Sequence, residues 1–440
     1  MTDLNFTVKA AFDRKLFWER GASVRYLVAR LKAGRGNDKS AADRTPLNIA
    51  LVIDASGSMD GGKLDAAKQA ALGLAERLTE QDRLTVVSFA SDVQVHLDAI
   101  AVTGSNIARI REEVTRLHTR GMTHLSGGWF AGVECAARIA EQDPRMTPRV
   151  IILSDGHANE GIVDPAELRE HAGELRLRGV LTTCLGIGDG YDEQLLRGIA
   201  ENGGGRLHDA ELTSEISSVL LGELDDIFGT VVEDAKVSVT APLGVQIEVL
   251  GISNAERRAE SFVVPIGPVQ NEIERAVVFK VICPRAGAGE ELAFEVSVTG
   301  RDLDNGAGLE VRPVLARLVA ADGAGNSAQS RDTELARIVA RTWSADIVAT
   351  AARMNRDGAY REAEAYLERE LHHFRRYVEG LDGAREMVRE LELLARRVGE
   401  EFSPRMRKEM VLQSSLATES RIDRRGASKA AWSERLERGD

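Results

Sequence analysis

The stretch Leu47-Asn48-Ile49-Ala50-Leu51-Val52-Ile53-Asp54-Ala55-Ser56-Gly57-Ser58 decides the reading of this chain. Residues 47–53 are apolar apart from Asn48, a run of the length expected for a strand buried on both faces. Asp54 stands where that strand ends. The spacing D-x-S-x-S then sets one carboxylate and two hydroxyls on alternate residues of a short loop, and Gly57 lets the loop turn sharply. Three hard oxygen donors this close together suit a hard cation such as Mg²⁺.

Two later stretches extend the pattern. Gly121-Met122-Thr123-His124-Leu125-Ser126-Gly127 offers a hydroxyl at a helix start, and Ile151-Ile152-Leu153-Ser154-Asp155-Gly156 ends a second buried strand on an aspartate. Asp54, Ser56, Ser58, Thr123 and Asp155, in that order, resemble the metal-ion-dependent adhesion site of von Willebrand factor A (vWA) domains. The resemblance covers residues 46–228, and all five positions fit without substitution. It implies five metal ligands around Mg²⁺, with Mn²⁺ or Ca²⁺ as alternatives. It implies that one of the two aspartates stays behind a water in the engaged state. That leaves a positive ion with one open position, which an Asp or Glu of a partner protein completes. The resemblance also implies that the last helix of the domain, 214–228, shifts on ligation.

Strand and helix patterns alternate around the motif. Strands are expected over 48–53, 83–89, 93–97, 149–153, 180–186 and 205–208. Helices are expected over 63–79, 105–117, 126–141, 165–178, 192–202 and 214–228. Such alternation predicts a doubly wound, mostly parallel α/β sheet, Rossmann-like, with ligands at the carboxyl ends of the strands. Both aspartates lie at such ends. Residues 231–318 change character to short strand patterns separated by Pro- and Gly-bearing turns, as in an all-β sandwich. Two strand patterns at 5–12 and 22–32 are too few to bury a face alone. They are expected to join that sandwich, which makes the vWA domain an insertion within it. The expected units are 1–45 (strands plus linker), 46–228 (vWA), 229–320 (sandwich), 331–399 (helical bundle) and 400–440 (a disordered tail).

Composition bounds the function. The chain has 440 residues, a length prior of about three domains. Its net charge of −12 argues against nucleic acid or an anionic membrane as partner. Its start lacks the basic and apolar regions of a signal peptide, and no stretch of about 18 apolar residues predicts a membrane span. A cytoplasmic setting is expected, and the resemblance is then to the bacterial cytoplasmic type. Cys135, Cys184 and Cys283 lie far apart in apolar runs and read as buried thiols.

Catalytic motifs are missing: there is no G-x-S-x-G and no H-E-x-x-H, and Gly287-Ala288-Gly289 and Gly203-Gly204-Gly205 lack P-loop context. His124 and His157 adjoin the metal positions and could serve as base, extra ligand or partner-facing rim, the rim being the plainer reading. Asp60 and Asp65 read as N-terminal charges of the following helix. Trp129 reads as core, and Arg438-Gly439-Asp440 as a chance tripeptide. The expected function is a non-enzymatic adaptor or scaffold. The resemblance suggests a chaperone-like ATPase or a kinase/phosphatase as partner. A surface adhesin, a metal-dependent hydrolase and a self-assembling scaffold are the alternatives.

Overall fold

Three strands open the chain: β1 (Asn5–Phe12), β2 (Leu16–Trp18) and β3 (Val24–Gly34). The computed structural model describes residues 4–35, 44–143, 145–251, 255–258, 261–419 and 431–438. Residues 36–43, in the linker of the expected 1–45 unit, therefore lie outside the described residues.

The chain next builds an α/β unit. Its elements are β4 (Asn48–Asp54), α1 (Lys63–Arg77), β5 (Arg83–Phe89), β6 (Val93–Ala101), α2 (Ile107–Thr115), α3 (Leu125–Gln142), β7 (Pro148–Ser154), α4 (Pro165–Leu177), β8 (Leu181–Ile187), α5 (Glu193–Asn202), β9 (Gly204–Ala210) and α6 (Ile216–Gly229). The sheet order is β6-β5-β4-β7-β8-β9, antiparallel only at the β6 edge. Every residue of β4 and β7 is buried, because helices cover both faces. Ile49, Leu51 and Ile53 pack with α1 and α6, while Ala50 and Val52 pack with α3. Asp54 and Asp155 thus sit at the carboxyl ends of neighbouring parallel strands.

From α6 the chain passes straight into β10 (Thr230–Thr240), followed by β11 (Gln246–Val249), β12 (Glu256–Arg258), β13 (Ser261–Gln270), β14 (Glu274–Ile282), β15 (Glu291–Asp302) and β16 (Gly308–Ala321). These join the first three strands in two sheets, ordered β1-β3-β14-β11 and β12-β13-β10-β15-β16-β2. Phe12, Leu27, Leu31, Val237, Phe279 and Phe294 belong to the core between them. The α/β unit is therefore inserted between β3 and β10 of a β-sandwich. Strand β2 is too short to show alternation, and it is fixed by parallel pairing with the end of β16.

Helices complete the chain: α7 (Gly323–Ala328), α8 (Thr333–Arg356), α9 (Tyr360–Val378), α10 (Ala384–Arg397), α11 (Pro404–Thr418) and α12 (Trp432–Arg438). Trp343, Phe374, Leu391, Leu394, Met406 and Met410 form their core, which takes in Tyr26, Val28 and Val278 from the outer face of one sandwich sheet. Two expectations are corrected here. The 321–330 stretch, which falls between the expected sandwich and helical bundle with no element assigned, contains α7, started by an Asp322 cap that accepts from the Gly325 N–H. The 400–440 segment read as disordered contains α11 and α12. The apolar stripe of α11 is thin, and the helix is held largely through charged contacts that hydrophobic periodicity does not register. Residues 420–430, and Gly439 and Asp440 of the terminal tripeptide, lie outside the described residues. Among the described residues no helix is long and apolar enough to cross a membrane.

Candidate metal centre

The loop after β4 folds because its backbone is braced by neighbouring loops. Ala55 N–H donates to Phe89 C=O, Gly57 N–H to Gly121 C=O at 3.2 Å, and Arg120 N–H to Ala55 C=O at 2.7 Å. Residues Gly57–Met59 then make one 3₁₀ turn that anchors Met59 in the core. This turn brings both serines of the motif to one side. Ser56 Oγ lies 3.0 Å from Ser58 Oγ, and Ser58 Oγ donates to Asp155 Oδ1 at 2.6 Å. Ser56 N–H donates to Asp54 Oδ1 at 2.8 Å. Thr123 comes from a third loop. Its N–H donates to Asn159 Oδ1 at 2.8 Å, and its C=O accepts from the Asn159 and Glu160 N–H groups. A Cβ placed on Gly156 would lie 3.4 Å from Ser58 Oγ and 3.8 Å from Thr123 Oγ1. All five sequence-predicted side chains thus meet around one cradle.

Asp54, Ser56, Thr123 and Asp155 are buried, whereas Ser58 is exposed and marks the mouth. Burial pushes the Asp54 carboxyl above its ordinary range, against the opposing hydrogen bonds from Ser154 and Ser56; the nearby Asp155 adds to the rise. A carboxylate in that situation favours a cation beside it. The donor set fits one: two carboxylates and three hydroxyls, all hard oxygens. Among the described residues no group of three His, Cys, Asp or Glu side chains is placed to hold a metal ion.

Several contributors were not evident in the sequence. Ser154 Oγ donates to Asp54 Oδ2 at 2.6 Å, and Asn159 holds the Thr123 backbone. Lys63, the first residue of α1, donates to Asp155 Oδ2. Ser154 adjoins Asp155, but a serine in a strand carries no distinguishing signal; Lys63 reads as a solvated helix residue.

The remaining candidates fall elsewhere. The His124 ring packs against the positions of Gly127 and Gly161. His157 is exposed, with Nδ1 3.6 Å from Asp192 Oδ2. Trp129 is fully buried and donates to Thr182 Oγ1 at 3.2 Å. Asp65 lies in the first turn of α1 and pairs with Lys68 at 3.1 Å. The three cysteines are buried and free, and burial pushes the Cys135 and Cys283 thiols up to about 11.

A family profile described as "von Willebrand factor type A domain" matches residues 48–220. Residues 48–220 of this chain carry a von Willebrand factor type A domain. Its vWA segment is 35% identical over 173 residues to the uncharacterized protein sll0103 of Synechocystis, a match covering 39% of each chain. It is 30% identical over 206 residues to the uncharacterized protein YfbK of Escherichia coli, covering 46% of this chain and 35% of the relative. It is 36% identical over 132 residues to human inter-alpha-trypsin inhibitor heavy chain H3, covering 29% of this chain and 15% of that one. The matches therefore span well under half the length of these relatives. Among solved structures, a von Willebrand factor type A protein from Catenulispora acidiphila superposes with a TM-score of 0.69 at 19% identity, covering 96% of this chain and 98% of that one. The ArnB paralog VWA2 from Sulfolobus acidocaldarius gives 0.57 at 14% identity, covering 94% and 99%. At such identities the likeness is one of fold, and it extends over the vWA domain, the sandwich and the helices together. Domains of the vWA family typically mediate protein–protein interactions.

Proposed function

We propose that this vWA protein is a non-enzymatic, cytoplasmic adaptor or scaffold. In this reading Asp54, Ser56, Ser58, Thr123 and Asp155 hold a divalent cation, Mg²⁺ foremost with Mn²⁺ or Ca²⁺ as alternatives, and a partner protein's Asp or Glu binds to it. The observation that carries the reading is the meeting of five oxygen donors from three loops around a cradle whose mouth is Ser58. When bound, the cation supplies a Lewis-acidic position that a carboxylate oxygen can fill. The rest follows from the chain itself. Asp54 and Asp155 place negative charge at the ends of two rigid, fully buried strands. Ser56, Ser58 and Thr123 add neutral donors, so the charge of a doubly positive ion is not exceeded. Ser154 and Asn159 keep Asp54 and Thr123 in place. His124 packs against the 161 turn and His157 faces Asp192, which supports a binding role over a hydrolytic one. The resemblance to bacterial vWA proteins favours a chaperone-like ATPase or a kinase/phosphatase as partner.

The test is a pull-down from lysate of the source organism with the intact chain and with Asp54→Ala, each in Mg²⁺ and in EDTA. Proteins retained by the intact chain in Mg²⁺ should be lost on chelation and on substitution. Identical retention under all conditions would refute the reading.

A further inference from the structure

Lys63 breaks a local rule. It is the first residue of α1, where the helix macrodipole disfavours a cation. Gly62 before it has φ +96° and provides no side-chain cap. Side chains that violate local preference tend to serve a site. Here the ammonium turns back across the helix start and donates to Asp155 Oδ2 and, at 3.2 Å, to the Ser58 carbonyl oxygen. The Asp155 carboxylate is fully buried, whereas the Lys63 side chain is 31% exposed. One oxygen of Asp155 therefore faces Ser58 Oγ and the rest of the donor set, and the other is covered by a tethered cation with a path to solvent. That path is not crowded. Gly188, at φ +69°, lies alongside, and even an added Cβ there would stay 3.8 Å from Lys63 Cε and 4.0 Å from Nζ.

We propose that Lys63 is a built-in competitor cation, whose ammonium neutralises Asp155 and thereby sets how tightly the site holds a divalent ion. The inference rests on the reading that these five residues bind a cation. Two aspartates balance a doubly positive ion, and a third positive charge against Asp155 leaves the cluster net positive. Like charges close together repel even at the effective dielectric near a protein surface. Loading then requires Lys63 either to remain and repel, or to leave its pair with Asp155 and swing toward solvent. Both lower the affinity. A Lys63 that merely orients Asp155 would do the opposite, because its loss would weaken binding. The two roles differ in sign.

The experiment titrates Mg²⁺ and Mn²⁺ into chelator-stripped full-length protein by calorimetry, comparing wild type, Lys63→Met, Lys63→Arg and Asp54→Ala. Lys63→Met should bind at least about tenfold tighter than wild type, and Lys63→Arg within about threefold of it. The second readout is thermal unfolding with and without Mg²⁺. Lys63→Met should melt lower than wild type in EDTA and gain more from Mg²⁺, since a ligand stabilises by its affinity for the folded state. Lys63→Gln replaces Lys63→Met should the latter fail to fold. Binding by wild type that is unchanged or weakened in the uncharged variant overturns the role of Lys63 and leaves the metal reading standing. Absence of cation binding in every protein overturns both. Binding by the uncharged variants alone supports the competitor role in its strongest form.

Discussion

A methyl group on Gly156 would reach into the space shared by Ser58 Oγ and Thr123 Oγ1, and Gly156 is not among the glycines with a left-handed backbone. Gly156→Ala should therefore cost little stability, within about 0.5 kcal/mol by chemical unfolding. Cation affinity should nonetheless fall at least about tenfold, one lost ligand contact being worth roughly 1.4 kcal/mol or more. Calorimetric titration against the unfolding curve separates the two effects. The candidate residues were legible in the sequence because D-x-S-x-S sets three of them on one turn and Asp155 ends a strand. Their supports were not. Ser154, Asn159 and Lys63 act through contacts that no spacing rule encodes, and a lysine misplaced at a helix start does not by itself name its partner.

At the scale of elements, α11 shows why a polar segment can be ordered. Arg405 forks onto Asp209 at 3.0 and 2.5 Å, and the Asp209 carboxylate also accepts from Tyr191 Oη at 2.7 Å. Lys408 donates to the carbonyls of Asp189 and Tyr191 and lies 3.6 Å over the Tyr191 ring. Arg206 reaches Glu419 at 3.1 Å at the far end of the helix. Both Met406 and Met410 are buried in the helical core on the other side. The helix is therefore folded between two partners, one apolar and one ionic, and only the apolar one leaves a periodic trace. Strand-and-helix alternation in 48–220 was readable for the contrary reason, since both faces of that sheet are covered by apolar stripes. Removing Arg405 deletes the two guanidinium hydrogen bonds to the buried Asp209. Arg405→Ala should destabilise by about 2–4 kcal/mol in urea unfolding. Limited proteolysis should cleave the 404–418 segment first. Equal stability of variant and wild type would mean that the Arg405–Asp209 pair does not hold α11 in place.

Across the whole molecule, each of the three units touches the other two. The vWA domain meets the sandwich through Arg149 and Glu233, a buried pair at 2.5 Å that Arg301 joins from β15. It meets the helices through α11. The sandwich meets the helices at Asp13, which is 2% exposed. Asp13 Oδ1 accepts from Tyr26 N–H at 3.0 Å, Oδ2 accepts from Tyr377 Oη at 3.2 Å, and the Asp13 carbonyl accepts from Asp332 N–H at the start of α8. Burial pushes the Asp13 carboxyl above its ordinary 3.8, although hydrogen bonds from Tyr26 and Tyr377 and the charges of Arg14 and Arg25 oppose the rise. The folded state therefore holds the Asp13 proton more tightly than the unfolded chain does. Below 3.8 both states are protonated and Asp13 has no effect. As pH rises from there through the raised folded value, the unfolded chain ionises first and stability is lost; above that window the loss is complete. Asparagine keeps the acceptor for Tyr26 N–H, and its amide can donate to Tyr377 Oη, without a charge to bury. Asp13→Asn should thus equal wild type below pH 3.8 and be the more stable of the two at pH 7. The measurement is the difference between the two urea-unfolding free energies across that range, which cancels the titration of every other carboxylate. A flat difference, or one that favours aspartate at neutral pH, would show that hydrogen bonding rather than burial governs this junction.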